Sequence, residues 1–151
     1  MIKKIIFLII VNLSLLSCDY SPIYSNNNNY NFYIESISQE GNNEINTLIR
    51  SKLRKYQIVT DAKKITINNV SIFEKSSQSK NKSGNTDQYL LNLEVKFFVK
   101  SSDNEKNFIL KEKFIMKNFA NEFDEKNYER TIKNNMTELI VNNLIIQLSR
   151  M

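Results

Sequence analysis

Histidine is absent from the 151 residues, cysteine and proline occur once each, and there are only two glycines. Each shortage removes a class of function. Without imidazole there is no Ser–His–Asp triad, no histidine acid–base catalysis and no His-ligated metal. A single cysteine cannot build a thiolate zinc or iron–sulfur site. Gly41 and Gly84 are too few and too far apart for a glycine-rich phosphate loop. Carboxylates do gather at Glu122, Asp124, Glu125 and Glu129. They fall at the start of a predicted helix, where they complement the helix dipole, and this outweighs their reading as an acid–base pair. The expectation is a protein that is not an enzyme and has no cofactor, metal or catalytic residue.

Charge is the next constraint. The net charge is +5, and 17 of the 21 basic residues are lysine, in a chain also rich in Asn and Ile. That bias is what an AT-rich genome tends to produce, so the basicity says little about nucleic acid, and export argues against such a partner. An acidic partner outside the cytoplasm, such as a lipid phosphate or an acidic barrel lumen, stays open.

Export is read from the N-terminus. Lys3 and Lys4 precede a nearly unbroken apolar run from Ile5 to Leu16. Twelve residues are too few for a membrane span, which needs about 20. They fit a secretory signal with a basic start, a short apolar core and a small residue, Ser17, before the cut. The signal ends Leu-x-Ser-Cys, which resembles a bacterial lipobox. That resemblance implies that Cys18 carries a diacylglycerol, that the chain is cut before it, and that the new N-terminus is acylated. Cys18 is then a lipid anchor. Cutting 17 residues from 151 leaves 134, about one domain. Two lysines leave with the signal, so 19 basic residues face 16 acidic ones and the mature charge is +3.

Within the mature chain, residues 18–31 read as anchor and tether, since SNNNNYN (25–31) has no apolar periodicity. Residues 32–151 read as one domain. A strand is expected over 31–38 from Phe32 and Ile34, then a turn and cap at Gly41 and Asn42 or Asn43. Ile45, Leu48, Ile49, Leu53 and Tyr56 follow at helical spacing. Ile65 and Ile67 alternate, and the apolar face then moves to Val70 and Ile72, which suggests a bulge at Asn68–Asn69. Residues 74–87, EKSSQSKNKSGNTD, read as a long mobile loop. The clearest strand holds Tyr89, Leu91, Leu93, Val95, Phe97 and Val99 on one face, against Asn92, Glu94, Lys96 and Lys100. After the turn at 101–106, Phe108, Leu110, Phe114 and Met116 continue as an antiparallel partner. Glu112 falls on its apolar face, at a bulge or an edge. Asp124 is expected to cap a helix to about Leu148, with Tyr128, Ile132, Met136, Leu139, Ile140, Leu144 and Leu148 as its stripe. The order β-α-β-β-β-α predicts an α+β two-layer sandwich, two helices on one face of a four-stranded sheet.

Cys-Asp-Tyr-Ser-Pro-Ile-Tyr (18–24) resembles the mature start of the lipopolysaccharide-assembly lipoprotein family, LptE, typically Cys-Gly-Phe-x-Pro-Leu-Tyr. Pro22, Ile23 and Tyr24 match, and Tyr20 replaces the aromatic Phe. Residues 34–56 are similar to the family's first strand and helix, and 118–148 to its final segment, notably Phe119-Ala120 and Glu129-Arg130. The resemblance implies the fold just read. It also implies an outer-membrane lipoprotein that plugs and helps assemble a large β-barrel and binds lipopolysaccharide in transit. On that basis Tyr20, Pro22, Ile23 and Tyr24 are candidate partner contacts beside the anchor. Lys75, Lys80 and Lys82 are candidate contacts to lipid A phosphates. In some bacteria an Asp directly after the lipidated cysteine holds a lipoprotein in the inner membrane, so Asp19 leaves that membrane open. Two other readings remain, an accessory subunit of a different envelope machine and an envelope hydrolase using Ser–Lys or carboxylate chemistry.

Overall fold

The computed structural model describes residues 30–59, 61–102 and 104–151. The elements are β1 (Phe32–Gly41), α1 (Asn43–Leu53) with a 3-10 turn at Arg54–Tyr56, β2 (Lys63–Lys80), β3 (Thr86–Ser101), β4 (Glu105–Lys117) and α2 (Glu122–Leu148). The sheet order is β1-β2-β3-β4. β1 and β2 are parallel, because the helix between them carries the chain back to the same end, while β2–β3 and β3–β4 are antiparallel. The expected α+β order is the observed one.

One buried cluster joins the helices to one face of the sheet. Ile45, Ile49 and Leu53 of α1 meet Ile132, Met136, Ile140, Leu144 and Leu148 of α2 over Leu91, Leu93, Val95, Phe97 and Val99 of β3. β3 therefore buries the face that its alternation assigns. The α1 cap is also as read, with Asn42 Oδ1 accepting from Ile45 N at 3.0 Å.

The α2 stripe needs correction in two places. Its cap is Asn121, whose Oδ1 accepts from Phe123 N at 2.9 Å, and Asp124 lies in the first turn. Tyr128 and Leu139 are 41% and 52% exposed, whereas Thr137, Val141 and Ile145 are buried. α2 packs against α1 as well as the sheet, so its buried surface turns toward Val141 and away from the β4 side. A stripe counted for a single neighbour misses this.

The slipped register lies in β1, not at Asn68–Asn69. Ile34 pairs with Ile65 and Ser36 with Thr66, so Glu35 is the extra residue and Ile37 takes the inward phase. β2 alternates without a break through Ile65, Ile67, Asn69, Ser71 and Phe73. Asn69 and Ser71 are buried, and Val70 and Ile72 face away from the helices. Two polar residues enter the core because α1 brings partners to them. Asn46 Oδ1 accepts from Asn69 Nδ2 at 2.9 Å and from Ser71 Oγ at 2.8 Å. Its Nδ2 donates to Glu40 O at 3.0 Å. Gln39 Nε2 donates to Asn69 Oδ1 at 3.1 Å and to Asn46 O at 2.9 Å. Gly41 closes this corner at φ 94°, and a Cβ there would lie 2.0 Å from Ser71 O, so only glycine lets β1 turn into α1.

The mobile loop expected at 74–87 is mostly strand. β2 continues to Lys80 and β3 begins at Thr86, leaving a turn of 81–85. Ser76 pairs with Leu90 and Ser77 with Tyr89, and the register shifts only around Ser79. Asn81 Oδ1 accepts from Ser83 N and Asn85 N, both at 3.0 Å, and Gly84 supplies φ 81°. β1 stops opposite Ser71, so this part of the hairpin outruns its neighbour and both its faces are wet. A strand wet on both sides carries no apolar alternation. Glu112 is explained by the edge: it faces Leu93 in an unbroken β3–β4 register, on an edge strand.

Candidate functional site

The structure separates the two ends of the molecule. Cys18, Tyr20, Pro22, Ile23 and Tyr24 lie outside the described residues. The described chain begins at Tyr30, whose ring centroid is 4.7 Å from that of Tyr56 and 5.8 Å from that of Phe32. Burial raises the pKa of Tyr56, and the hydroxyl contact with Tyr30 at 3.5 Å raises it further, so the phenol stays neutral. The N-terminal segment thus enters at the start of β1, beside Lys63, whose N–H donates to Asn31 O at 3.1 Å. β2 runs 18 residues from that end to Lys80. At roughly 3.3 Å per residue, the hairpin tip stands about 55 Å from the entry point.

The three candidate lysines do not form one site. Lys80 and Lys82 sit at the tip, exposed and with no ion pair among the described residues. Lys117, at the end of β4 opposite Gln88, adds an exposed cation near the same end. Lys75 instead lies within β2, locked inside a network. Its Nζ donates to Glu125 Oε1 at 2.7 Å and to Glu129 Oε2 at 2.9 Å, and rests 4.1 Å from the Tyr89 ring centroid. Glu129 also bonds Lys133 at 2.8 Å, and Lys133 reaches Glu44 at 2.8 Å while covering the Phe73 ring. β2, α2 and the first turn of α1 are tied together by alternating charges. Two of the carboxylates read as helix-dipole partners therefore also clamp the hairpin to the helix. Their spacing of four residues signals one helix face, but the lysine they hold comes from 50 residues away.

The network gives stability a defined pH dependence. Burial pushes the Glu129 carboxyl up, but hydrogen bonds from Lys133 and Lys75 outweigh it and leave the pKa below the ordinary 4.5. A carboxylate depressed in the folded state contributes above its unfolded pKa, and that contribution disappears as pH falls through the folded value. Burial pushes the Lys75 and Lys133 pKa values down, but their carboxylate partners outweigh it and leave both above the ordinary 10.5. Their share is present below 10.5 and is lost at higher pH. Thermal unfolding of the wild type should therefore weaken below pH 4.5, and Glu129→Gln should start lower and lose part of that acid dependence. Parallel pH profiles for the two proteins would show that the clamp is not a stabilising pair.

The sheet face without helices carries more apolar surface than alternation indicated. Ile72, Phe98, Ile109 and Ile115 are exposed there, around Glu94, which bonds Lys111 at 2.6 Å. Alternation assigns Ile72 to the inward face and passes over Phe98, Ile109 and Ile115, because it follows the inward phase of β3 and β4. No group of three His, Cys, Asp or Glu capable of holding a metal occurs among the described residues. No described helix is long and apolar enough to cross a membrane.

No family model matches the chain, and no curated protein matches it. Solved structures do. The rare lipoprotein B of Shewanella oneidensis aligns with a TM-score of 0.53 at 15% identity, covering 74% of this chain and 95% of that one. A lipoprotein B from Nitrosomonas europaea aligns with a TM-score of 0.58 at 17% identity, covering 80% and 86%. A minor lipoprotein from Acinetobacter baumannii aligns at 0.50 with 15% identity, over 75% and 94%. This chain has the fold of those lipoproteins across about three-quarters of its length.

Proposed function

We propose that the protein is a lipid-anchored envelope lipoprotein of the lipopolysaccharide-assembly (LptE) kind, acylated at Cys18. In this reading it occupies the lumen of a large outer-membrane β-barrel, helps that barrel assemble, and binds lipopolysaccharide on its way to the outer leaflet. The observation that carries the reading is the coincidence of two independent signals. The fold is shared with lipoprotein B structures, and the segment Cys-Asp-Tyr-Ser-Pro-Ile-Tyr stands before it. Geometry supports the role. A two-layer body built on a strand about 55 Å long exceeds the apolar band of an outer-membrane barrel, about 25 Å tall. Anchored at one end, it would carry Lys80 and Lys82 far from the anchored leaflet.

The tip lysines supply the test. Replacing Lys80 and Lys82 together with Ser in the detergent-purified full-length protein should weaken lipopolysaccharide binding several-fold at low salt and flatten its salt dependence. Melting should be unchanged, because both ammonium groups are solvated. Lys75→Ser should do the opposite, lowering the melting temperature through loss of the clamp. Unaltered binding in the double variant would remove the tip from the lipid site.

A further inference from the structure

We infer that the free edge of β4 is a docking site for an extended strand of a partner protein, one with apolar side chains at alternate positions and a single Lys or Arg opposite Glu112. This goes beyond the reading above, since it rests on neither the anchor nor the lipid.

Three observations meet at this edge. β4 is one of the two edge strands of the sheet, so one side of its 13 residues offers backbone N–H and C=O groups that no described strand pairs. Beside it, between β4 and α2, lies a cavity of about 310 Å³ whose lining includes Phe114, Tyr128, Ile132, Met136 and Leu139, with Glu112 and Lys113 along its β4 side. Phe114, Tyr128 and Leu139 are 39%, 41% and 52% exposed, so the apolar wall is open toward the edge. Third, Glu112 faces this cleft and has neither an ion pair nor a hydrogen-bond partner among the described residues, although its neighbours Lys111 and Lys113 are close in sequence. Both alternate to the opposite face in the register, where Lys111 bonds Glu94, although Lys113 also borders the cleft.

The carboxylate selects the occupant. An added strand would pair with the β4 backbone and send alternate side chains over the cleft, where Phe114, Tyr128 and Leu139 would take apolar ones. The same strand would strip water from Glu112, and a desolvated carboxylate is costly unless it is paired. A cation at the facing position satisfies it, and an apolar or acidic residue there is rejected. An anionic lipid headgroup is disfavoured by the same charge and cannot pair with the backbone. The upper edge of β2 is also unpaired beyond Ser71, but its residues Ser76, Ser77 and Gln78 border no apolar cleft.

The test uses the full-length protein in detergent and two blocked ten-residue peptides that alternate Leu and Thr, one with a central Arg and one with a central Glu. The Arg peptide should slow hydrogen exchange at β4 amides not bonded to β3, and should leave the β2 hairpin tip unchanged. Glu112→Lys, which leaves the core untouched, should weaken the Arg peptide by about tenfold or more and bind the Glu peptide instead, as expected when a close charge pair is exchanged. Melting curves should show the variant folded. No protection at millimolar Arg peptide, or protection indifferent to the charge at residue 112, would overturn the proposal. Protection that grows with protein concentration in the absence of peptide would also overturn it, by assigning the edge to a second copy of the chain.

Discussion

Leu93→Asp should leave the protein unfolded at ambient temperature, while Lys96→Asp, three residues along the same strand, should leave it folded. Leu93 is 1% exposed at the centre of β3, between Phe73 on β2 and Glu112 on β4. An aspartate there is desolvated, unpaired and directly opposite Glu112, so burial and like-charge repulsion act together. The cost is several kcal/mol against a total stability of roughly 5–15 kcal/mol for a domain of this size. Lys96 lies on the face without helices and makes only a 3.6 Å contact with Glu94. Losing it should change stability by about 0.5 kcal/mol or less. Thermal unfolding followed by far-UV circular dichroism decides the matter, and similar melting temperatures for both variants would contradict the burial assigned to β3.

Asn46→Ala should also destabilise the protein, for a different reason. Asn46 is 7% exposed, and its side-chain amide joins Asn69, Ser71 and Glu40. Truncation strands Asn69 Nδ2 and leaves Ser71 Oγ with its longer contacts to Asn42 O at 3.3 Å and Glu40 O at 3.5 Å. A buried group left without a partner costs about 1–3 kcal/mol, so a loss of about 2 kcal/mol is expected. Replacing the whole trio with apolar residues (Asn46→Leu, Asn69→Val, Ser71→Val) should be milder than the single change, because it removes the unsatisfied groups together with their partners. Urea unfolding of the single and triple variants measures the difference. A triple variant that loses the sum of three independent penalties would show that the network does not act as a unit.

These two sites also mark where the sequence was legible. β3 announces itself because one of its faces is apolar throughout and its neighbours on both sides complete the sheet. β2 does not, because Asn69 and Ser71 belong to the inward phase and the reason for their burial, Asn46, sits on a helix 23 residues earlier. The eye then follows Val70 and Ile72 to the wrong face and places in β2 a bulge that belongs to Glu35 in β1. Period-2 counting detects a strand only where one side is dry, which is why Ser76–Lys80 read as loop while pairing with Tyr89 and Leu90. On α2, Tyr128 and Leu139 fitted the periodicity but border an open cleft, since a helix touching two neighbours buries a turned stripe.

The candidate lysines divide along the same line. A lysine-bearing polar segment says that cations are present, and only the fold shows which are free. Lys80 and Lys82 stand at a solvated tip, whereas Lys75 is held by Glu125 and Glu129 and owes its position to helix α2. The anchor segment is the reverse case. Its chemistry is carried wholly by residue type and order around Cys18, and the fold adds only the end of the sheet from which that segment departs.

The central claim is that this fold works as the anchored, barrel-bound lipoprotein proposed above. It is tested most directly by isolating the full-length protein, tagged after Met151, from detergent-solubilised membranes. The preparation is then analysed for covalent lipid and for co-purifying protein, with Cys18→Ala alongside. The account predicts labelled fatty acid on the wild type and none on Cys18→Ala, together with one large outer-membrane β-barrel in near-equimolar amount. A wild-type protein that carries acyl chains but brings down no barrel, or brings down a different envelope machine, would contradict the assignment. Acylation that persists in Cys18→Ala would contradict the anchor itself.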